Sequence, residues 1–451
     1  MTTVESPPAP ATGATPAPAP ATPASPATGP ARKAPRGGLL RHRDFRLLWF
    51  GETASVMGNA ISGVTLPLVA LELLHAGPFV MGLLSAASWL PWLVLGLPAG
   101  AWIDRLPRRP TMVVANLVSL VLVLSVPIAA WLEALTLGQL VAVSLLGGAT
   151  GVFFSPAYSA YLPSIIAKED LAEGNAKLQG SAQAAVVSGS GIGGMLTQAL
   201  TAVLGLVADA CTFVISTVCL LAIRTKEPAR STEPRTTTLR EEIRAGFGFM
   251  VRDPYLRILT VGASIDNLLL SAGHALLVVF LVQTVGAGPG MVGLLLAADC
   301  LGGVLGAVVA NRVARRVGTA RALLLFSLGT TPFGLLIPLT GPGWALAFFA
   351  VGLLVPAAGI VAGNVIGGAF RQGYCPPDML GRIGTSGSFV AFGLIPLGAL
   401  TGGALGATIG IRETLWILLT AGVLGKLVLL FGPIRRSRDL PTSPAPTSPR
   451  P

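Results

Sequence analysis

Apolar stretches of about 20 residues recur along this chain and constrain its fold more than any other feature. Each is long enough to cross the ~30 Å hydrocarbon core of a bilayer as a helix. Only 11% of the 451 residues are charged, whereas soluble domains carry about 25%. We therefore predict an all-α membrane protein. Twelve transmembrane helices are expected, centred in residues 47–74, 79–103, 111–131, 137–162, 176–200, 202–223, 255–283, 290–310, 321–340, 344–370, 383–410 and 414–434.

Short landmarks recur along the chain at a nearly constant offset. The basic run at residues 104–109 is repeated at 311–316, an offset of 207. Two further landmarks repeat at offsets of 208 and 209, namely Asp170-Leu171 with Asp378-Met379, and Gly193-Gly194 with Gly402-Gly403. The offset predicts a tandem of two pseudo-symmetric six-helix bundles. Duplicated halves are typical of transporters, in which alternating access rocks one bundle against the other.

The distribution of charge predicts the orientation of the chain. A net charge of +11 would suggest a nucleic-acid partner in a soluble protein. If both ends of the chain lie on one side of the membrane, every Lys and Arg except Arg412 falls in or beside segments on that side. Because cytoplasmic loops are enriched in Lys and Arg, both termini are predicted to be cytoplasmic in a multi-pass protein of the cell membrane. No nucleic-acid partner is expected.

The tails and one linker differ in composition from the apolar segments. The first 38 residues are mostly Ala, Pro, Thr, Gly and Ser, a composition typical of a disordered tail. An amphipathic segment near residues 239–247 is expected to lie along the inner membrane surface. The four cysteines have no metal-like spacing, so no metal site is expected. The predicted organisation is a cytoplasmic tail (1–38), a first bundle (39–223), a basic cytoplasmic linker (224–254), a second bundle (255–435) and a disordered cytoplasmic tail (436–451).

Several motifs together resemble a known family. The loop at residues 100–109 resembles the signature loop of the major facilitator superfamily. Further motifs resemble its 12-span drug-efflux branch, which holds macrolide and siderophore exporters; they lie at 156–163, 169–171, 175–176, 371–372, 377–378, 381–383, 396–399 and 402–403. The resemblance covers about residues 40–435. It implies proton-driven export from the cytoplasm, with no cofactor besides the proton gradient.

The first predicted span carries a polar stripe. Glu52, Ser55, Asn59 and Ser62 follow one another at spacings of three and four, which places them on one helical face. Such a face avoids lipid, so it either lines a cavity or forms hydrogen bonds with another helix. For Ser55, Asn59 and Ser62, which are substrate-cavity candidates, both alternatives stay open. For Glu52 a role in proton coupling is favoured, because an intramembrane carboxylate costs roughly 2.5 kcal/mol or more.

Two acids in the second half are further candidates for proton coupling. Asp266 and Asp299 are expected near the middle of the membrane, with no basic residue placed to pair them. An intramembrane acid of this kind is suited to bind and release a proton, which is favoured over the alternative of a buried, hydrogen-bonded acid. Asn267 and His274 are additional cavity candidates, although His274 is more typical of a core histidine. Asp209 is interpreted as a packing acid.

Three further groups of residues are candidates for a gate, for helix packing and for substrate contact. The resemblance implies a cytoplasmic gate at Asp104, Arg105, Arg108 and Arg109, and the alternative is that the arginines only determine topology. Helix-packing glycines are expected at Gly189, Gly193, Gly194, Gly402 and Gly403, since glycine lets helix backbones approach closely. Gln179 and Gln183 lie one turn apart in the fifth span and are candidates for substrate contact.

The function favoured by these features is proton-coupled export of a bulky amphipathic molecule, such as a drug, an antibiotic or another secondary metabolite. The expected partners are a small-molecule substrate, protons and membrane lipid, and a monomer is expected. A uniporter or importer of a neutral solute is the alternative, and a non-transporting receptor is a remote one. An enzyme is not expected, because the chain offers no nucleophile–base set, no metal spacing and no phosphate loop.

Overall fold

The computed structural model describes residues 39–103, 106–167, 170–225 and 239–441, and all of its regular elements are helical. The helices are α1 (Arg43–Leu74), α2 (Pro78–Ile103), α3 (Arg108–Trp131), α4 (Leu137–Ile165), α5 (Leu171–Ala199), α6 (Ala202–Ala222), α7 (Leu239–Arg252), α8 (Pro254–Val279), α9 (Pro289–Val317), α10 (Thr319–Thr330), α11 (Leu346–Tyr374), α12 (Pro377–Ile409) and α13 (Ile411–Lys426). A π-helical turn (Phe280–Val285) extends α8. Short 3₁₀ segments lie at Leu39–Arg41, Thr331–Leu339, Gly343–Ala345, Leu427–Phe431 and Pro433–Arg436.

Eleven helical segments among the described residues are long and apolar enough to cross a membrane. The twelfth expected span corresponds to α5, which has 29 residues but does not belong to those eleven. Gln179, Gln183 and several serines and glycines interrupt its apolar sequence, which explains why it stands apart from the others. The all-α membrane fold is thus confirmed, whereas the count of twelve stays a prediction.

Helix contacts recur in the two parts of the chain that we call the first half (α1–α6) and the second half (α8–α13). In the first half, α1 packs on α5 and α6, while α4 packs on α2 and α3. In the second half, α8 packs on α12 and α13, while α11 packs on α9 and α10. These are the same pairs counted from the start of each half. Between the halves, α2 packs on α12 and α5 packs on α9.

Local sequence signals explain where many of these helices begin. Thr136 and Thr201 accept hydrogen bonds through their hydroxyls at the starts of α4 and α6. Asp253 precedes Pro254 and accepts from the backbone N–H groups of Tyr255 and Leu256 at 3.0 and 2.9 Å. The same carboxylate also accepts from the Tyr374 hydroxyl at 2.6 Å, which joins the start of α8 to the end of α11.

The buried apolar residues divide into three clusters that distinguish the two ends of the molecule. The shared core contains residues of both halves, for example Leu68, Leu206, Leu276 and Phe349. It lies where α1 ends and α2 begins, and we call this the closed end. At the opposite end, which we call the split end, one cluster around Tyr161 belongs to the first half and another around Phe370 and Tyr374 belongs to the second.

The linker and the end of the chain differ from the predicted organisation. The amphipathic segment near residues 239–247 forms part of α7, which packs against α8 and α12 and buries Met250. The tail predicted to be disordered from residue 436 is corrected for residues up to 440, because they fold back onto α10. Asp439 Oδ1 accepts from Thr319 N at 2.9 Å, and Leu440 is buried. Residues 1–38 and 442–451 lie outside the described residues.

Candidate functional site

A cavity of 780 Å³ lies inside the first half, between α1, α2, α3, α4 and α6. The four residues of the predicted polar stripe, Glu52, Ser55, Asn59 and Ser62, all line it. Helical spacing therefore brings them to a common wall, as the sequence pattern indicated. Glu52 makes no hydrogen bond or ion pair with a described residue. Asn59 is exposed, and Ser55 is buried.

Asp209 belongs to the same cavity, although the sequence suggested only a packing role. The Ser62 hydroxyl donates to its carboxylate, and the Thr212 hydroxyl lies 3.2 Å from Oδ1. Asp209 is almost fully buried, so these hydroxyls replace the water that the carboxylate would otherwise bind. Gly58 makes this approach possible, because a Cβ atom there would lie 2.2 Å from Asp209 Oδ1.

Further polar side chains and aromatic rings complete the cavity wall. Asn116 Nδ2 donates to Ser216 Oγ at 2.9 Å, which satisfies one end of a buried amide. The Ser144 hydroxyl lines the cavity and is buried without a hydrogen-bond partner among the described residues. The indole rings of Trp89 and Trp92 form the apolar side of the wall, with their centroids 6.3 Å apart.

The second half contains an ion pair that the sequence analysis missed. Lys426 Nζ lies within ion-pairing distance of the Asp266 carboxylate. The expectation that no basic residue pairs Asp266 is therefore wrong. The charge distribution places Lys426 with the cytoplasmic residues although it falls within the predicted span 414–434, and α13 carries it inward beside α8. Burial of both side chains makes this pairing favourable, because an isolated charge there would be poorly solvated.

Two small cavities of 80 and 100 Å³ lie on either side of this ion pair. Asp299 and His274 line the smaller one together with Asp266, so the structure brings the three predicted residues together. His274 is exposed, and the interpretation as a core histidine is therefore wrong. Asn267 donates to the Ala391 carbonyl at 3.1 Å and so joins α8 to α12.

The predicted gate arginines bind backbone carbonyls within the first half. Arg108 donates to the Ala160 carbonyl of α4 at 2.7 Å. Arg109 donates to the carbonyls of Leu220 and Leu221 at 2.8 and 2.6 Å, which caps the last turn of α6. These bonds fasten the start of α3 to its neighbours. Asp104 and Arg105, the other two gate candidates, lie outside the described residues.

The predicted packing glycines divide into two groups. Gly189 and Gly193 meet the backbone of α1, and Gly402 meets that of α8, so these three tighten contacts within a half. Gly194 and Gly403 instead reach across the halves. A Cβ atom on Gly194 would lie 2.9 Å from the Cα of Gly293 in α9.

The same crossing contact occurs twice. A Cβ atom on Gly403 would lie 2.9 Å from the Cα of Gly82 in α2. The two pairs, Gly82 with Gly403 and Gly194 with Gly293, join equivalent helices in opposite order, α2 with α12 and α5 with α9. Both lie toward the closed end, where the halves meet through backbone contacts.

The two glutamines predicted to contact substrate lie on α5 and are both exposed. Neither lines the cavity of the first half. Gln183 precedes Gly194 by eleven residues, which is about three helical turns and places both on one face of α5. That face is turned toward the second half at Gly194, so Gln183 lies on the side of α5 nearest that half.

A buried carboxylate that the sequence pattern does not single out fastens the start of α1. Asp44 is buried and accepts from Arg224 N, Thr225 N and the Thr225 hydroxyl at 3.2, 2.9 and 2.6 Å. Its place at the first turn of a helix, next to basic residues, gave no signal of a partner 180 positions away. Among the described residues, no group of three or more His, Cys, Asp or Glu side chains could hold a metal ion.

Comparisons with known proteins agree with this geometry. Residues 36–449 match the family described as transmembrane secretion effector, of the major facilitator type. The multidrug efflux pump Tap of Mycolicibacterium fortuitum is 26% identical over 417 residues, which cover 88% of this chain and 98% of Tap. The enterobactin exporter EntS of Citrobacter koseri is 26% identical over 430 residues, which cover 90% of this chain and 96% of EntS.

Solved structures show the same fold. A bacterial homologue of the iron transporter ferroportin in its inward-facing state gives a TM-score of 0.70 at 18% identity, covering 87% of this chain and 99% of that one. The outward-facing state of such a homologue gives 0.56, covering 86% and 98%. The resemblance stated from the sequence motifs is thus confirmed. Since the family match spans nearly the whole chain, this protein belongs to the transmembrane secretion effector family of the major facilitator superfamily, and it is a multi-pass membrane transporter rather than an enzyme.

Proposed function

We propose that this protein exports a bulky amphipathic small molecule by alternating access, using the proton gradient. In this proposal α5 is the twelfth span, the two halves are six-helix bundles in the cell membrane, and both termini are cytoplasmic. The positive-inside distribution of Lys and Arg supports that orientation. The split end then faces the cytoplasm.

The observation that carries the proposal is the difference between the two ends. A single apolar core joins the halves at the closed end, whereas the split end has one separate core in each half. A transporter that closes one end and separates the other gives a bound molecule access to one side at a time. Export requires a second state in which the shared core opens and the split end closes.

The comparisons support the direction of transport and the state of the molecule. Tap is named as a multidrug efflux pump and EntS as an exporter of enterobactin, and both align over most of their length. The ferroportin homologue superposes better in its inward-facing than in its outward-facing state, with TM-scores of 0.70 and 0.56. Both observations favour an exporter in an inward-facing state, in which the binding site is open to the cytoplasm.

Proton coupling is assigned to the acids of the two halves. Asp299 lines the same cavity as the Asp266–Lys426 pair. A proton taken up by Asp266 would neutralise its carboxylate and so release Lys426 from the ion pair. A change of that kind alters contacts between α8 and α13 and can bias one of two conformations. Glu52, which makes no ion pair with a described residue, is the third candidate.

The proposal is tested by accumulation of fluorescent dyes and antibiotics in cells that express the protein. Lower accumulation that an uncoupler reverses is the expected result. An Asp299→Asn variant should reach the membrane but lose active efflux, whereas Glu72→Gln, an exposed acid near the end of α1, should keep it. Full efflux by Asp299→Asn would remove Asp299 from the coupling scheme.

Transport in the other direction is the alternative that the same experiment resolves. Uptake that follows the gradient of a neutral solute and persists with the uncoupler would favour a uniporter or importer. In that case the proton-coupled exporter would be rejected.

A further inference from the structure

A groove of 640 Å³ lies between α1 and α5, and the function described above makes no use of it. Small side chains of α5 form one wall of this groove, and longer side chains of α1 form the other. We call it the lateral groove. Its lining residues are Leu40, Trp49, Thr53, Met57, Lys177, Ser181, Ala184, Ala185 and Ser188.

The lateral groove opens away from the rest of the protein. On α1, Met57 lines it, whereas Asn59, two residues on and on the opposite side of the helix, lines the cavity of the first half. On α5, Ser188 lies about 140° around the helix from Gln183, which is on the side nearest the second half. Met195 follows Ser188 by two turns on the same face and is largely exposed. An apolar, exposed face of a membrane-spanning helix is the face that contacts lipid, because polar faces turn inward.

The wall of the groove presents no free hydroxyl to a ligand. The Thr53 hydroxyl donates to the Trp49 carbonyl at 2.7 Å and lies 3.0 Å from Ser181 Oγ. Ser181 donates in turn to the Leu178 carbonyl at 3.1 Å, and Ser188 donates to the carbonyl one turn before it at 2.8 Å. All three hydroxyls that line the groove are therefore engaged, so the wall is apolar toward anything that enters it.

The cytoplasmic end of the groove differs from its wall, because cations stand there. Lys177 lies in the second turn of α5 and forms an accessible pair with Glu173 at 3.5 Å. Exposed pairs of this kind are weak, so the lysine can take another anion. Arg46 is exposed on the face of α1 that carries Thr53, two turns earlier, and makes no ion pair with a described residue. Among these three charged groups, one positive charge is in excess.

Trp49 stands between this charged end and the apolar wall. Tryptophan is enriched at the level of the lipid headgroups, where one part of the ring is apolar and the N–H is polar. The indole nitrogen of Trp49 is buried without a hydrogen-bond partner among the described residues. Buried polar groups are nearly always satisfied, so this N–H indicates an acceptor at the mouth of the groove.

The length of the groove matches one leaflet of a bilayer. Lys177 and Ser188 are eleven residues apart, which is about 16 Å along α5. The hydrocarbon core of a bilayer is ~30 Å thick, so one leaflet measures about 15 Å. A molecule with an anionic head and an apolar chain of that length fits the charged mouth and the apolar wall together.

We propose that the lateral groove binds one anionic phospholipid of the inner leaflet. Arg46 and Lys177 hold its phosphate, and one acyl chain lies against Thr53, Met57 and Ser188. The inference rests on the membrane placement in the proposed function, in which α5 is a span and the split end is cytoplasmic. It does not depend on the direction of transport or on the transported molecule.

The second half offers a matched control for the charged mouth. Counting from the starts of equivalent helices, Arg46 corresponds to Arg257 of α8, which is also exposed. Lys177 corresponds to Ile383 of α12, so the pair of cations is not repeated at those two positions. Removal of Arg257 therefore takes away an equivalent charge without touching the lateral groove.

The test measures lipid binding to the purified full-length protein in dodecyl maltoside by native mass spectrometry. Dioleoyl phosphatidylglycerol is the anionic probe, and dioleoyl phosphatidylcholine is the zwitterionic one. We expect the first phosphatidylglycerol to bind at least 5-fold more tightly than the first phosphatidylcholine. The double variant Arg46→Gln/Lys177→Gln should reduce this preference to less than 2-fold, and Arg257→Gln should keep it. Ala184→Phe, which fills the groove, should weaken the first binding event of both lipids.

Four outcomes would overturn the proposal. Equal affinity of the wild type for the two lipids would exclude the anionic class, and an unchanged preference in a folded double variant would exclude the site. An equal loss of preference in Arg257→Gln would show a general effect of net charge. Displacement of the lipid by millimolar glycerol 3-phosphate would show an anion site that needs no acyl chain.

Failure of the lipid site and failure of the proposed function give different results. Lipid preference that depends on Arg46 and Lys177, in a protein without uncoupler-sensitive efflux, would support the site and reject the exporter. Active efflux by a protein that shows no lipid preference would support the exporter and reject the site.

Discussion

The two halves of this transporter share a helix arrangement but place their charges differently. The first half surrounds a cavity of 780 Å³, in which Glu52 has no ion-pair partner among the described residues. The second half has cavities of 80 and 100 Å³ beside an internally neutralised pair, Asp266 with Lys426. The two halves therefore share a helix arrangement and differ in the charges that it holds.

Counting from the starts of equivalent helices shows how complete that separation is. Asp266 corresponds to Ser55, and Lys426 corresponds to Thr217, so the first half has hydroxyls where the second has its ion pair. Conversely, Glu52 and Asp209 correspond to Ala263 and Leu418. A charge in one half thus stands where the other half is neutral. The two halves therefore differ in the charged side chains that line their cavities.

Substitution of Lys426 in the second half is expected to have the largest effect on stability. Lys426→Met leaves Asp266 unpaired and should destabilise the protein by about 2 to 3 kcal/mol, because a partly buried charge then lacks compensation. Unfolding of the detergent-solubilised protein measures this loss. The double variant Asp266→Asn/Lys426→Met should recover most of it.

The control for that experiment is Lys177→Met, which disrupts an accessible pair with Glu173 at 3.5 Å within α5. Exposed pairs of this kind contribute less than about 1 kcal/mol. An equal loss of stability in both lysine variants would mean that the Asp266–Lys426 pair contributes no more to the free energy of unfolding than a surface pair does.

The crossing glycines allow the same kind of contact to be perturbed once in each half, on α5 and on α12. Gly194→Ala and Gly403→Ala add a methyl group 2.9 Å from the opposing glycine Cα, and each should destabilise the closed end by about 1 to 3 kcal/mol. Initial transport rates should fall about 10-fold or more. A cysteine introduced at buried Ala76, in the shared core, should be labelled faster in both variants.

Gly191→Ala is the matched control on α5, since a Cβ atom there would meet nothing within 4 Å. It should transport normally and keep Ala76→Cys protected. A large effect of Gly194→Ala with none of Gly403→Ala would show that the two contacts are not functionally equivalent.

The smallest expected effect concerns how each half fastens its last segment. Asp44→Ala removes three hydrogen bonds from a buried carboxylate and should cost about 2 kcal/mol. Asp439→Ala removes a helix cap from an exposed position and should cost less than about 1 kcal/mol. Thermal unfolding of both variants checks the order, which a greater loss in Asp439→Ala would reverse.

Periodicity along one helix was readable from the sequence, whereas partners on distant helices were not. The spacing of Glu52, Ser55, Asn59 and Ser62 placed them on one face, and the cavity lies on that face. The offset of the glycine pairs predicted duplicated halves, and the repeated helix contacts agree with it.

Lys426 was missed for a physical reason. It lies within the last predicted span, 414–434, close enough to the basic residues that follow to be counted with them on the cytoplasmic side. Whether its side chain turns to water or inward depends on α8, which lies 160 positions earlier in the chain. Asp209 was underrated for a similar reason, because its hydroxyl partner Ser62 lies on another helix, 147 positions away.

The doubled glycine contact has the form of a twofold dimer interface, in which one patch meets another and the copy of the second meets the copy of the first. In an assembly of two identical half-length chains, any substitution there would have struck both contacts at once. In a single chain the residues beside the two contacts can differ. Beside one contact Gln198 lies over Gly290, while the corresponding positions in the other hold Ala407 and Phe79, so the large side chain has changed sides. The two crossing contacts of the transporter can therefore be altered separately. The contact between α2 and α12 need not open as easily as the contact between α5 and α9.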